Sequence, residues 1–194
     1  MAKYEELLAK YNMSPKEASQ KSKTWFEQQI TLLNREKIQP NVFLRTNPAL
    51  TVKTKVLPGS MYMFKYDPKY AESLDYYDMF PLIFPFAVQN NGFKALNMHY
   101  LHPMIRAKTL DALTLVINNK KYDETTRFRM TWATINSISK LKQCHAAVKH
   151  YLIAHLDSQI KIVNPNDWVA TLLLPLEGFI GANKRQVWKD SYKV

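Results

Sequence analysis

The residues of this chain whose side chains could catalyse a reaction or bind a metal are a single cysteine, five histidines and a group of acidic residues. Cys144 is followed directly by His145, but adjacent residues of a helix point about 100° apart, so they do not form a nucleophile–base pair. A small buried or half-buried thiol is the ordinary interpretation of such a cysteine. With one cysteine, the chain forms neither an intramolecular disulfide framework nor a Cys-rich metal site.

The histidines lack the spacing of a metal site. His145, His150 and His155 recur at intervals of five residues, so each lies about 140° round a helix from the last. His99 and His102 end a predicted strand, with no acidic or thiol partner at a familiar ligand spacing. We therefore expect no metal and no other cofactor, and we interpret the histidines as core or surface residues.

The acidic residues do not predict a catalytic site either. Asp67, Glu72, Asp75 and Asp78 fall within one turn-rich segment, whereas a two-metal nuclease site usually draws its carboxylates from separate strands. We interpret them as solvated turn and capping residues. The four glycines form no phosphate-binding loop, and no Gly-x-Ser-x-Gly motif is present. The sequence therefore predicts a protein that is not an enzyme.

Charge is distributed unevenly along the 194 residues, whose net charge is +11. Residues 1–60 carry a net +5, residues 61–125 are neutral, and residues 126–194 carry a net +6. No apolar run is long enough to cross a membrane, so we expect no membrane insertion. The neutral middle third is also rich in aromatic residues and proline, which indicates a distinct structural unit.

The elements that position these residues predict an α+β fold in three segments. Ser14, Pro15 and Glu17 form a capping box before a helical pattern over 15–36, which makes residues 1–36 an N-terminal helical arm. Residues 37–58 lack the hydrophobic periodicity of a helix or strand, which predicts an extended linker. Residues 59–194 form the core domain, with a small curved β-sheet or barrel-like unit and a helical C-terminal half.

Within the core domain, strands are predicted over 61–66, 82–88 and 93–100. The Asn91-Gly92 pair predicts a hairpin between the last two, and Pro85 predicts an edge strand or a bulge. Helices are predicted from His102-Pro103 to Ile117, over 124–142 with Asp123 as the cap, over 144–156 and after Asn183. Residues 160–163 predict a strand, and residues 168–174 predict a buried strand or helix, with strand favoured by length. The helix over 124–142 is expected to bury Phe128, Trp132, Ile135, Ile138 and Leu141.

Two groups of side chains are candidates for contacts with partners. Basic residues interleaved with aromatic ones are compatible with nucleic-acid binding, and equally with a solvated face or an acidic protein partner. The candidate basic surface comprises Lys53, Lys55, Arg127, Arg129, Lys140 and Lys142. Aromatic residues and Met are enriched at protein interfaces, although those in the turn region could instead cover the core. The candidate interface comprises Trp25, Phe26, Tyr70, Tyr76, Tyr77, Met79 and Phe80.

Three sequence segments carry a family resemblance, namely GSMYMFKYDPK at 59–69, LDYYDMFPL at 74–82 and GFKALNMHYL at 92–101. With KYDETTR at 121–127 and VWKDS at 187–191, they resemble a family of proteins of large contractile-tailed bacteriophages. One departure is Asp75, where the family pattern has proline. The resemblance transfers no catalytic residue. It implies a phage protein made in the bacterial cytoplasm and located in the virion.

The leading hypothesis from the sequence is therefore a non-enzymatic virion structural protein, acting through contacts with other virion proteins in a multi-copy assembly of the tail or baseplate. Its basic ends are then docking surfaces for acidic partners. The alternative is a phage factor that binds nucleic acid, or that processes or packages DNA. In the alternative, the same cations contact phosphates.

Overall fold

Residues 39–46, 50–53 and 55–191 are described by a computed structural model, which confirms the predicted α+β class. The helices of this part are α1 (Pro40–Thr46), α2 (Pro103–Ile117), α3 (Glu124–Ile138), α4 (Trp168–Leu173) and α5 (Lys184–Ser191). The strands are β1 (Leu50–Val52), β2 (Tyr62–Met63), β3 (Tyr77–Asp78), β4 (Leu82–Gln89), β5 (Gly92–Asn97), β6 (Val148–Leu152), β7 (Lys161–Val163) and β8 (Phe179–Ile180).

Six strands form one antiparallel sheet in the order β1-β7-β2-β4-β5-β6, and β3 pairs with β8 in a separate two-stranded ribbon. The sheet is open, because its outer strands β1 and β6 do not pair with each other. The barrel-like alternative is therefore wrong, and an open antiparallel sheet forms instead.

The central hairpin has the predicted tight turn. Asn90 and Asn91 connect β4 to β5, and Gln89 pairs with Gly92 at the end of the ladder. Pro85 pairs with Ala95 but Ala87 pairs with Lys94, so the register shifts at Phe86. Proline donates no ladder hydrogen bond, and the bulge accommodates it within a central strand. Of the two predicted outcomes for Pro85, the bulge is the one formed.

The sheet separates two apolar clusters because successive strand residues point to opposite faces. The larger core lies under α2, α4 and α5, and includes Leu82, Phe84 and Leu96. On the other face is an aromatic cluster with edge-to-face rings, in which the Tyr151 ring centre lies 5.3 Å from that of Phe64 and 4.9 Å from that of Tyr66. Both faces of the central strands are therefore buried.

Two other predicted elements have a different conformation. Residues 144–156 are not a helix but a 3-10 turn (Lys142–Ala147), then β6, then a second 3-10 turn (Ile153–His155), because β5 takes its second strand partner here. Residues 168–173 form helix α4 rather than a strand. Trp168 and Leu172 lie four apart on its buried side, and Trp168 Nε1 donates to Val163 O at 3.0 Å.

The predicted linker over 37–58 is not extended throughout. It contains α1, with Phe43 and Leu44 buried, and β1, which pairs with β7. The predicted arm over 1–36 lies outside the described residues. The division into three segments stays a prediction.

Candidate nucleic-acid interface

Helix α3 positions the densest group of predicted basic residues. Asp123 begins it by accepting a 2.7 Å hydrogen bond from the backbone N–H of Thr126. Hydrogen bonds from Thr126 lower the pKa of Asp123, with a smaller contribution from the nearby arginines. Thr131 and Ile135 form the buried stripe of the helix. Since the buried stripe is narrow, much of the helix surface faces solvent.

One flank of α3 carries two aromatic rings and a cation. At about 100° per residue, Phe128, Trp132 and Arg129 lie within about 100° of one another beside the buried stripe. Phe128 is 38% exposed and Trp132 is 40% exposed, and Arg129 is also exposed. We call these three residues the α3 surface. The predicted burial of Phe128 and Trp132 is wrong, because they lie outside the stripe that meets the core. That of Leu141 is also wrong, because α3 ends at Ile138 and not at residue 142, and Leu141 is 46% exposed.

A glycine turn and the β4 bulge hold this flank in place. Gly59 has φ +85°, and a Cβ there would lie 3.1 Å from Trp132 N and 3.2 Å from Phe128 O. The N–H of Gly59 donates to Pro85 O at 3.0 Å. The indole Nε1 of Trp132 donates to Phe86 O at 2.8 Å. The carbonyl freed at the bulge thus fixes the Trp132 ring.

The other predicted cations do not all join this flank. Arg127 lies about 160° round α3 from Arg129 and is half-buried. Lys140 and Lys142 are exposed beyond the end of the helix. Lys55 is exposed four residues before Gly59, and Lys53 is exposed at the end of β1.

Charge differs between segments of the described chain, which carries 19 Lys and Arg against 11 Asp and Glu. Between residues 108 and 150 there are eight basic and three acidic residues, whereas residues 66–78 hold four acids and one lysine. Several cations elsewhere have acidic partners. Lys65 pairs with Asp157, and Arg106 and Lys184 both face Glu177. The segment containing α3 therefore carries a local excess of basic residues, of which Arg127 and Lys149 are half-buried and the others are exposed.

The predicted aromatic interface is mostly turned inward. Tyr70 is 64% exposed, with Lys69 Nζ 5.1 Å from its ring centre. Tyr76 is half-buried against Tyr100, and Tyr77 is half-buried in β3. Met79 and Phe80 pack on the main core. Trp25 and Phe26 lie outside the described residues, so the turn region presents one aromatic ring to solvent among those described.

A buried polar centre forms where β3 meets the end of β5. Asp78 Oδ1 accepts hydrogen bonds from the N–H groups of Phe80 and Gly178, both at 3.1 Å. Its Oδ2 accepts from Asn97 Nδ2 at 3.1 Å and lies 2.8 Å from His99 Nδ1. Burial would raise the pKa of Asp78, but His99 and these hydrogen bonds outweigh it and leave that pKa below its usual range.

This centre corrects the expectation that all four acids of the turn segment are solvated. Asp67, Glu72 and Asp75 are exposed, whereas Asp78 is buried. The sequence signal for this centre is the presence of polar residues, Asp78, Asn97 and His99, inside the apolar runs at 74–82 and 92–101. Their pairing could not be predicted, because the two runs are far apart in sequence.

Arg106 extends the polar centre toward α4 and α5. Its guanidinium donates to Leu172 O at 3.1 Å and to Glu177 Oε1 at 3.3 Å. Trp188 Nε1 donates to His99 O at 2.9 Å. The His99 and Asp78 side chains are 0% and 1% exposed, so a substrate cannot reach them. We interpret the centre as structural.

Other candidate chemistry is weak in the described chain. Burial raises the pKa of the Cys144 thiol to about 11, which disfavours the reactive thiolate. Across residues 39–46, 50–53 and 55–191, no three His, Cys, Asp or Glu side chains are grouped to hold a metal ion. No helix in the same ranges has the length and apolar character needed to span a membrane.

The family model described as the phage T4 terminal DNA protecting protein matches residues 4–193. No curated protein and no solved structure matches the chain. Because the match covers nearly the whole sequence, the chain belongs to this family. The family match confirms the prediction that this is a phage protein. It contradicts the predicted role in the tail or baseplate, because the family is described by protection of DNA, which favours the nucleic-acid alternative.

Proposed function

We propose that this member of the phage T4 terminal DNA protecting protein family binds the ends of phage DNA and shields them from degradation. The observation that carries the proposal is the family match over residues 4–193. A protein that covers a DNA end acts by occupying it, because the terminal phosphodiester bonds are then inaccessible to an exonuclease. The proposal therefore requires binding and not catalysis.

The charge of the described chain supports binding to DNA. Lys and Arg that neutralise phosphates release condensed counterions, which drives association with any duplex. The basic segment between residues 108 and 150 offers such cations on α3 and just beyond it, at Arg129, Lys140 and Lys142. We infer that this segment contacts the DNA backbone.

The buried chemistry supports a non-enzymatic role. The Asp78–His99 pair is enclosed, and the pKa of Cys144 is raised by burial. Neither offers an accessible general base or nucleophile. We propose that the chain blocks other enzymes at the DNA end without cleaving or joining DNA itself.

The test is protection of linear DNA by the purified full-length chain. A blunt linear duplex is incubated with a double-strand exonuclease, with and without the chain. We expect the chain to slow digestion of the duplex by the exonuclease. As a control, cleavage by a restriction enzyme at a site in the middle of the duplex should proceed at its normal rate. Equal digestion with and without the chain at saturating concentration would overturn the proposal.

Presence in the virion follows from this proposal, because a protein bound to the ends of packaged DNA accompanies it. Mass spectrometry of purified particles is expected to detect the chain in low copy relative to the capsid protein. Its absence from particles would contradict the location. Contacts with other virion proteins stay a prediction.

A further inference from the structure

We propose that the α3 surface recognises the DNA end itself, by stacking the Phe128 and Trp132 rings on the uncovered face of the terminal base pair. This inference rests on the proposed function. It adds the feature that distinguishes an end from the interior of a duplex.

Cations alone do not make that distinction. Phosphates line the whole duplex, so contacts from Lys and Arg give binding that is independent of position. The end differs because the outer face of its last base pair has no stacked neighbour. Aromatic side chains stack on bases of any sequence, which suits a surface that must accept any terminal pair.

The described chain offers three aromatic rings that are well exposed, namely Tyr70, Phe128 and Trp132. Tyr70 lies in the acidic segment, with Asp67, Glu72 and Asp75 close in sequence, where phosphates would be repelled. Phe128 and Trp132 lie one helical turn apart with Arg129 to one side of them, and the charge of Arg129 complements a phosphate at the end. Charge therefore selects the α3 surface.

The surface is also held rigidly before binding. The hydrogen bond from Trp132 Nε1 to Phe86 O fixes one ring, and the Gly59 turn packs against the backbone beneath both. A side chain already held in its bound orientation loses little conformational entropy on binding. The adjoining charges also orient the duplex. Asp123 and Glu124 begin the helix while Lys140 and Lys142 follow it, so the phosphate strands extend toward the lysines.

The test compares two duplexes of the same sequence, one with open blunt ends and one with both ends closed by hairpin loops. Affinities are measured for the wild type, Phe128→Ala and a control, Leu115→Ala, which removes a 76% exposed side chain from α2. We expect Phe128→Ala to weaken binding to open ends by about 5- to 150-fold, as loss of one stacked base would. Its binding to the closed duplex should not change, and Leu115→Ala should behave as wild type.

A second variant separates stacking from folding. Phe128→Trp retains an aromatic face, so we expect it to keep the preference for open ends that Phe128→Ala loses. If the wild type prefers open ends and Phe128→Ala keeps the same preference, the stacking proposal is overturned and the proposed function stands. If the wild type neither binds nor protects linear DNA, the proposed function fails with it.

Discussion

The buried polar centre and the α3 surface both combine aromatic rings with arginine, yet their surroundings give them opposite roles. Arg106 is 1% exposed and donates to Glu177 and to backbone carbonyls. Arg129 is exposed on α3 beside Phe128 and Trp132. The terminal nitrogens of the enclosed guanidinium are engaged by internal acceptors, whereas those of an exposed one remain available to a phosphate. Sequence composition counts both as positive charge, but only the second is exposed to a partner.

The aromatic residues differ in the same way. Trp188 donates its Nε1 to His99 O inside the centre, whereas Trp132 donates its Nε1 to Phe86 O and is 40% exposed. Both indoles are anchored through the N–H, but only Trp132 has a ring that remains partly exposed. We therefore expect changes in the centre to alter stability and changes on the α3 surface to alter DNA binding.

The largest expected effect is that of Asp78→Ala in the centre. It leaves the side chains of Asn97 and His99, with two backbone N–H groups, without their buried acceptor. We expect a loss of about 3–5 kcal/mol in the free energy of unfolding, measured by chemical denaturation. The control is Asp75→Ala at an exposed site, which should change it by less than about 0.5 kcal/mol. A loss below 1 kcal/mol for Asp78→Ala would show that the centre does not stabilise the fold.

Gly59→Ala should affect both regions, because the turn joins the α3 surface to the sheet. The added Cβ meets the α3 backbone, and φ of +85° is strained for alanine. We expect about 1–3 kcal/mol of destabilisation and a weaker preference for open DNA ends. Ser137→Ala, at an exposed position of α3, is the matched control. Unchanged stability would mean that the turn is not needed to support the helix.

Removing Lys140 and Lys142 should weaken DNA binding without altering stability. The slope of log affinity against log salt should become shallower by about 0.9 for each lost phosphate contact, for open and closed duplexes alike. A matched double variant is Lys69→Ala with Lys65→Ala, since Lys69 lies in the acidic segment and Lys65 pairs with Asp157. An identical salt slope in the Lys140 and Lys142 variant would place the phosphate contacts elsewhere.

The smallest expected effect is that of mild acid on stability. The pKa of Asp78 is lower in the folded chain than the value of about 3.9 for an unfolded aspartate, so its ionised form stabilises the fold. That contribution is fully present above about pH 4 and is lost as pH falls through the lower folded pKa. Denaturation midpoints should show no loss from Asp78 between about pH 5 and 7. Asp78→Asn should flatten the decline below about pH 4.

Local sequence signals predicted the elements whose determinants lie within a few residues. Asp123 caps α3 through Thr126, Pro103 begins α2, and the Asn-Gly pair marks the β4–β5 hairpin. In each case the turn or cap chemistry is contained in consecutive residues. Positions that depend on distant partners were not predictable in this way. Residues 148–152 pair with β5, and the pairing overrides their helical spacing.

The candidate site shows the same limit. The sequence identified Arg129, Lys140 and Lys142 as basic candidates, but it predicted that Phe128 and Trp132 are buried. Their exposure depends on which distant segments pack against α3, and the Gly59 turn and the β4 bulge are two of these segments. Both lie more than forty residues away in sequence.

By itself, the sequence determined the α+β class, the uneven positive charge and the phage family, because composition, local periodicity and motif order are properties of the linear chain. Tertiary structure decided which charges face solvent. Asp78 and Arg106 are enclosed with partners from distant segments, while Arg129 stays on the surface beside two aromatic rings. The physical reason is that desolvation and hydrogen-bond satisfaction depend on neighbours in space, which residue spacing along one segment does not specify.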